Sequence, residues 1–118
     1  MTPQEHDIEA SLPLSALDLQ ILLVLAEGEL YGYAIMKEVA AHSDGLLNPE
    51  IGSLYRVLAR LMDVGWVAET DEPAEARGSH RGRPRRYYRI TERGSQVARA
   101  EVRRLRAVLR DAEALGPA

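Results

Sequence analysis

The 118 residues allow one compact domain able to bury roughly two-thirds of its unfolded surface, and the absence of cysteine excludes a disulfide framework, a thiolate zinc site and a cysteine nucleophile. The formal charge of −3 on its own argues against a polyanionic partner. It conceals a split: residues 1–76 carry 3 basic and 14 acidic side chains, net −11, whereas residues 77–110 carry 12 arginines and 2 glutamates, net +10. Such segregation points to nucleic acid or another anionic surface. The longest wholly apolar run, Ile21 to Ala26, falls far short of the ~20 residues that cross a bilayer. The N-terminus is acidic rather than basic-then-apolar, so the expectation is a cytoplasmic protein with no membrane partner.

Residues 1–13, polar and holding Pro3 and Pro13, are expected as a flexible arm. Ser15 with Asp18 three residues on forms an N-terminal cap before Leu17, Leu19, Ile21, Leu22, Leu23, Val24 and Leu25, a helix that should be buried on several faces and end near Glu27-Gly28. A second helix is predicted from Gly32 to His42, with Tyr31, Ile35 and Val39 along its inner stripe and Asp44-Gly45 closing it. The third is predicted to start with Asn48 as cap, Pro49 at the first helical position and Glu50 against the helix dipole. Ile51, Leu54, Leu58, Leu61 and Met62 fall on its inner side, while Gly52, Ser53, Arg56 and Arg60 face water and Tyr55 lies on the flank.

Two short strands follow, Trp66 to about Asp71 and Arg85 to Ile90, joined by the polar stretch Glu72 to Pro84, which is too long for a tight hairpin. Alternation assigns Tyr88 and Ile90 to one face of the second strand and Arg85, Tyr87 and Arg89 to the other. Thr91 caps the last helix, predicted to reach about Leu115. Its Ala98, Val102, Leu105, Leu109 and Ala112 have the a/d rhythm of a helix seam, which predicts a homodimer interface.

Three helices followed by a hairpin with a basic tip are the layout of a winged helix-turn-helix, so the expected fold is mainly α with a small β-hairpin. The divisions are the arm at 1–13, a DNA-binding domain at 14–90 and a dimerisation helix at 91–118. In that layout the third helix enters the major groove and the wing touches backbone or the adjacent minor groove. The sequence also resembles a family. Leu30-Tyr-Gly-Tyr-Ala-Ile35, Gly52-Ser-Leu-Tyr-Arg-Val-Leu-Ala-Arg-Leu61, Gly65-Trp-Val67 and Arg85-Arg-Tyr-Tyr-Arg-Ile-Thr-Glu-Arg-Gly94 are similar, in order and spacing, to the signature blocks of PadR-type transcriptional regulators. The single C-terminal helix is similar to that of the compact subfamily.

What the resemblance implies is a dimeric repressor on a palindromic operator, released by a small and often aromatic effector. It implies that Ser53, Tyr55 and Arg56 face DNA and that Arg85 and Arg86 belong to the wing. The helical face adds Arg60 to the DNA-binding set. Arg81-Gly-Arg-Pro-Arg-Arg86 resembles a minor-groove hook, which would put Arg81 and Arg83 in narrow A·T-rich DNA and Arg85 and Arg86 on phosphates. Trp66, at the junction of third helix and wing, is a candidate for stacking on a planar ligand.

Other chemistry is not visible. His6, His42 and His80 are scattered without metal-ligand spacing, and there is no phosphate-cradling glycine loop, nucleophile elbow or paired carboxylate, so neither a metal, a cofactor nor an enzyme is expected. The alternative from a different class is a protein-protein module that assembles through the heptad-spaced last helix and meets an acidic partner with its arginines. Salt-dependent retention on duplex DNA distinguishes the two.

Overall fold

The computed structural model describes residues 2–78, 82 and 84–117. It is mainly helical with a small antiparallel sheet, in the order α1 (Pro3–Ala10), α2 (Ala16–Ala26), β1 (Leu30–Tyr31), α3 (Gly32–His42), α4 (Ile51–Asp63), β2 (Val67–Thr70), β3 (Tyr87–Ile90) and α5 (Glu92–Ala112). Helices α2, α3 and α4 with the β2–β3 wing form the predicted winged helix-turn-helix. Single 3-10 turns occupy Ala74–Ala76 and Glu113–Leu115.

The ends of several helices follow from side-chain chemistry. Ser15 caps α2 by accepting the Asp18 amide at 3.0 Å, and Thr91 caps α5 by accepting the Gly94 amide at 3.0 Å. Helix α3 keeps the predicted bounds, and Asp44 and Gly45 after it both take positive φ, 51° and 81°. Ile21, Leu22, Ile35, Val39, Leu54, Leu58 and Leu61 are fully buried where α2, α3 and α4 meet, and Val67, Tyr88 and Val97 extend this core to sheet and α5.

Four expectations change. The arm contains a helix: Pro3 occupies the first helical turn, where its missing N–H costs nothing, and Thr2 and Glu5 form a reciprocal capping box. Along α5, Gln4 donates to Gln96 at 2.8 Å and Arg93 stands 3.7 Å from Asp7. Helix α4 begins after Glu50 rather than Asn48. Glu50 is its extended N-cap residue and accepts the Leu54 amide through its carbonyl, so Pro49 stands before the helix and Asn48 caps nothing.

The hairpin is the larger part of a three-stranded sheet, ordered β1-β3-β2, because Leu30 and Tyr31 pair with Tyr88 and Tyr87. On the other side of β3, Val67 pairs with Ile90 and Thr70 with Tyr87. The predicted outward face of β3 is therefore covered in part. Tyr87 is buried beside Tyr31, their ring centroids 5.7 Å apart, and burial pushes the Tyr87 phenol up from its ordinary pKa.

Candidate nucleic-acid interface

Helix α4 buries Leu54, Leu58 and Leu61 and turns its opposite side to solvent. On that side Arg56 is exposed and its Nη2 donates to Ser53 Oγ at 3.0 Å, one turn back. The pair is a compact donor-rich unit, since a guanidinium carries five N–H groups and this contact uses one edge. Tyr55 is 47% exposed on the flank. Its ring lies across the start of α3, where a Cβ added to Gly32 would come within 2.6 Å of the phenolic oxygen. Glycine at position 32 is what lets α4 bring that hydroxyl against the positive end of α3.

Arg60 is engaged differently. Its Nη2 lies 2.6 Å from Asp18 Oδ1 at the start of α2, and this hydrogen bond raises the guanidinium pKa above its ordinary value against the opposing effect of burial. Of the residues expected on the groove side of α4, Ser53, Tyr55 and Arg56 stand together while Arg60 is tied to the body.

In the wing, Arg86 is exposed and Arg85 packs its guanidinium over the Tyr31 ring, 4.3 Å from the centroid. Arg81, Arg83 and His80 lie outside the described residues. The base of the wing is mixed in charge, because Asp71 and Glu72 share a crevice with Arg77, Arg85 and Arg86. Sequence reasoning overlooked Lys37, the chain's one lysine, whose ammonium stands 5.5 Å from the exposed Tyr33 ring on α3. The i, i+4 spacing of this pair is the signal that would have found it. It also treated Asp18 only as part of a helix start.

Trp66, the candidate for ligand stacking, is 7% exposed and packed in the core. The seam of α5 divides into two parts. Ala98 is 6% exposed inside the chain's own core and also lines the groove between α2 and α5. Val102 and Leu105 are half-buried, and Leu109 and Ala112 are exposed. Among the described residues no group of three or more His, Asp or Glu side chains is arranged to hold a metal ion, and no helix is long and apolar enough to cross a membrane.

Against known proteins, the model of the transcriptional regulator PadR-like family matches residues 21–100. The fold is similar to that of a transcriptional regulator from Clostridium thermocellum, with a TM-score of 0.66 and 24% identity over 89% of this chain and 100% of that one. It is similar to a PadR-like transcriptional regulator from Bacillus cereus, with a TM-score of 0.69 and 23% identity over 84% of this chain and 89% of that one. Bacillus subtilis PadR, solved in complex with operator DNA, superposes with a TM-score of 0.62 and 22% identity over 76% of this chain and 48% of that one. No match is found among curated proteins.

Proposed function

The chain belongs to the PadR-like family of transcriptional regulators, and from that membership we propose that it is a dimeric, sequence-specific repressor binding a palindromic operator. The observation that carries the reading is the Ser53–Arg56 unit on the solvent face of α4, held beside a wing whose Arg86 is exposed. A helix about 10–12 Å across fits a major groove about 12 Å wide, so α4 enters the groove while the wing follows the backbone. Arg56 and Ser53 reach base edges, Tyr55 reaches a phosphate from the start of α3, and Arg81, Arg83, Arg85 and Arg86 supply the attraction of the wing.

Residues 14–90 are the DNA-binding part in this reading, and 91–118 the dimerisation part. Val108, Leu109 and Leu115 support the second assignment, because all three are exposed apolar side chains in the last part of α5 and the turn that follows it. A twofold dimer would present two α4 helices about one DNA turn apart, which makes the operator palindromic. What supports a small aromatic effector is a groove of about 430 Å3 between α2 and α5, with Leu23, Ala26 and Val102 on its floor and Arg99, Arg103 and Arg106 at its rim.

The test is a protection assay on the DNA upstream of the protein's own gene, combined with sedimentation of free and bound protein. A symmetric footprint and a dimer are the expected result. Dimerisation with binding indifferent to sequence would overturn the repressor reading in favour of a protein-protein module.

A further inference from the structure

Arg56 and Arg60 are the two cations of α4, one turn apart. A second arginine in a groove helix ordinarily adds a phosphate contact, which strengthens binding to any duplex and carries no sequence information. Here the guanidinium is held by Asp18 Oδ1 at 2.6 Å, a short charge-assisted bond. The two partners differ in exposure, the Asp18 side chain being 10% exposed and that of Arg60 52%. Asp18 also stands in the first turn of α2, where the positive helix end favours its carboxylate. If Arg60 left for a phosphate, it would strand a nearly buried carboxylate, so the exchange is unfavourable even though Arg60 itself can reach water.

We propose that Asp18 is a positioning residue for DNA recognition: it holds Arg60 off the phosphate backbone, which lowers sequence-independent attraction and leaves selectivity to the contacts of Ser53 and Arg56. The inference rests on reading α4 as the groove helix. It also gives the acidic first half of the chain a local task, since one of its carboxylates cancels a cation at the edge of the DNA face.

Asp18→Asn keeps the shape and an acceptor oxygen but removes the charge. Freed Arg60 then gains one phosphate, so the slope of log affinity against log salt steepens by about 0.9. For a labelled random-sequence duplex this means about a threefold greater loss of affinity than the unaltered chain shows on raising salt fourfold. The ratio of affinities for the footprinted and random duplexes falls accordingly. Removing any carboxylate near DNA also strengthens attraction through space, so the change is repeated on Arg60→Met, where only that part remains and the added slope of about 0.9 should be absent.

Arg60→Met by itself is expected to lose no phosphate contact and so to change the slope by much less than one contact, with thermal melting checking that it folds once Asp18 is unpaired. A slope flattened by about one contact in Arg60→Met would overturn the proposal, because Arg60 would already be on a phosphate. An Asp18→Asn steepening that stays at the full value of about 0.9 without Arg60 would overturn it as well. A chain showing no salt-dependent duplex binding at all refutes the functional reading itself, a result distinct from a binder whose variants behave alike.

Discussion

Arg56 leaves α4 within the turn that buries Leu54 and Leu58, so truncating it should touch DNA binding and spare the core. Arg56→Ala is expected to weaken operator binding by about 1–3 kcal/mol and relax selectivity at one base position, with an unchanged melting curve. Fluorescence anisotropy on the operator and on single-base variants measures both effects; equal weakening on every sequence would instead make Arg56 a phosphate contact. Two glycines illustrate the opposite balance. A Cβ on Gly94 would collide with the Trp66 carbonyl, where the first turn of α5 meets the residue before β2, and backbone cannot swing aside. Gly94→Ala should therefore cost about 1–3 kcal/mol, read as a lowered urea midpoint. At Gly32 the same added atom meets the Tyr55 phenol, a half-exposed side chain that can rotate away. Gly32→Ala should leave the midpoint nearly unchanged while altering affinity, because it displaces Tyr55 from the α3 terminus.

Helix α5 is two elements in one. Its first half, through Val97, Ala98 and Ala100, is built into the core, whereas Leu109 further along is 66% exposed. If the proposed dimer forms through this seam, a charge placed at Leu109 should break it and leave the protomer folded; placed at Ala98 it should unfold the chain. Leu109→Glu is expected to sediment as a monomer with unchanged far-ultraviolet circular dichroism, and a persistent dimer would move the interface away from the seam. The heptad spacing could not separate these halves, since the same a/d rhythm serves a core contact and a partner contact. Elements whose ends are set by their own residues were legible: Ser15, Thr91 and the Asp44-Gly45 pair announce the limits of α2, α5 and α3. Helix α1 was hidden because Pro3 suits both a loose arm and a first helical turn. Strand β1, two residues long, exists only because β3 is there to pair with it. In the candidate interface, the exposure of Arg56 was legible from helical periodicity, whereas the Asp18–Arg60 bond spans 42 residues of sequence and forms only where the start of α2 meets α4.

Across the whole molecule one described ion pair, Asp7 with Arg93, joins the acidic and basic segments of the sequence, while others form within a segment. Asp7 lies by Arg93, Asp18 binds Arg60, and Glu101, 1% exposed on α5, accepts the Leu14 amide at 2.8 Å and two guanidinium nitrogens of Arg104. Glu101 thus joins the segment entering α2 to the helix assigned to dimerisation. The Arg104 hydrogen bond holds its carboxyl below the ordinary value of 4.5, burial opposes this, and the Leu14 N–H adds to the lowering. A carboxyl whose pKa is depressed on folding contributes stability that is complete above the unfolded value, and that contribution disappears as pH falls through the folded value. The contribution of Glu101 should accordingly be complete above its unfolded value and disappear only as pH falls below that value and through the lowered folded one, where Glu101 takes up a proton. Glu101→Gln keeps an acceptor for Leu14 but cannot hold the charge of Arg104. Its urea midpoint should be lower at pH 7, and the gap to the unaltered chain should close on acidification, because by then both side chains are neutral. A gap that stays constant from pH 7 to pH 3 would show that shape rather than charge at position 101 fastens the α2 entry to α5.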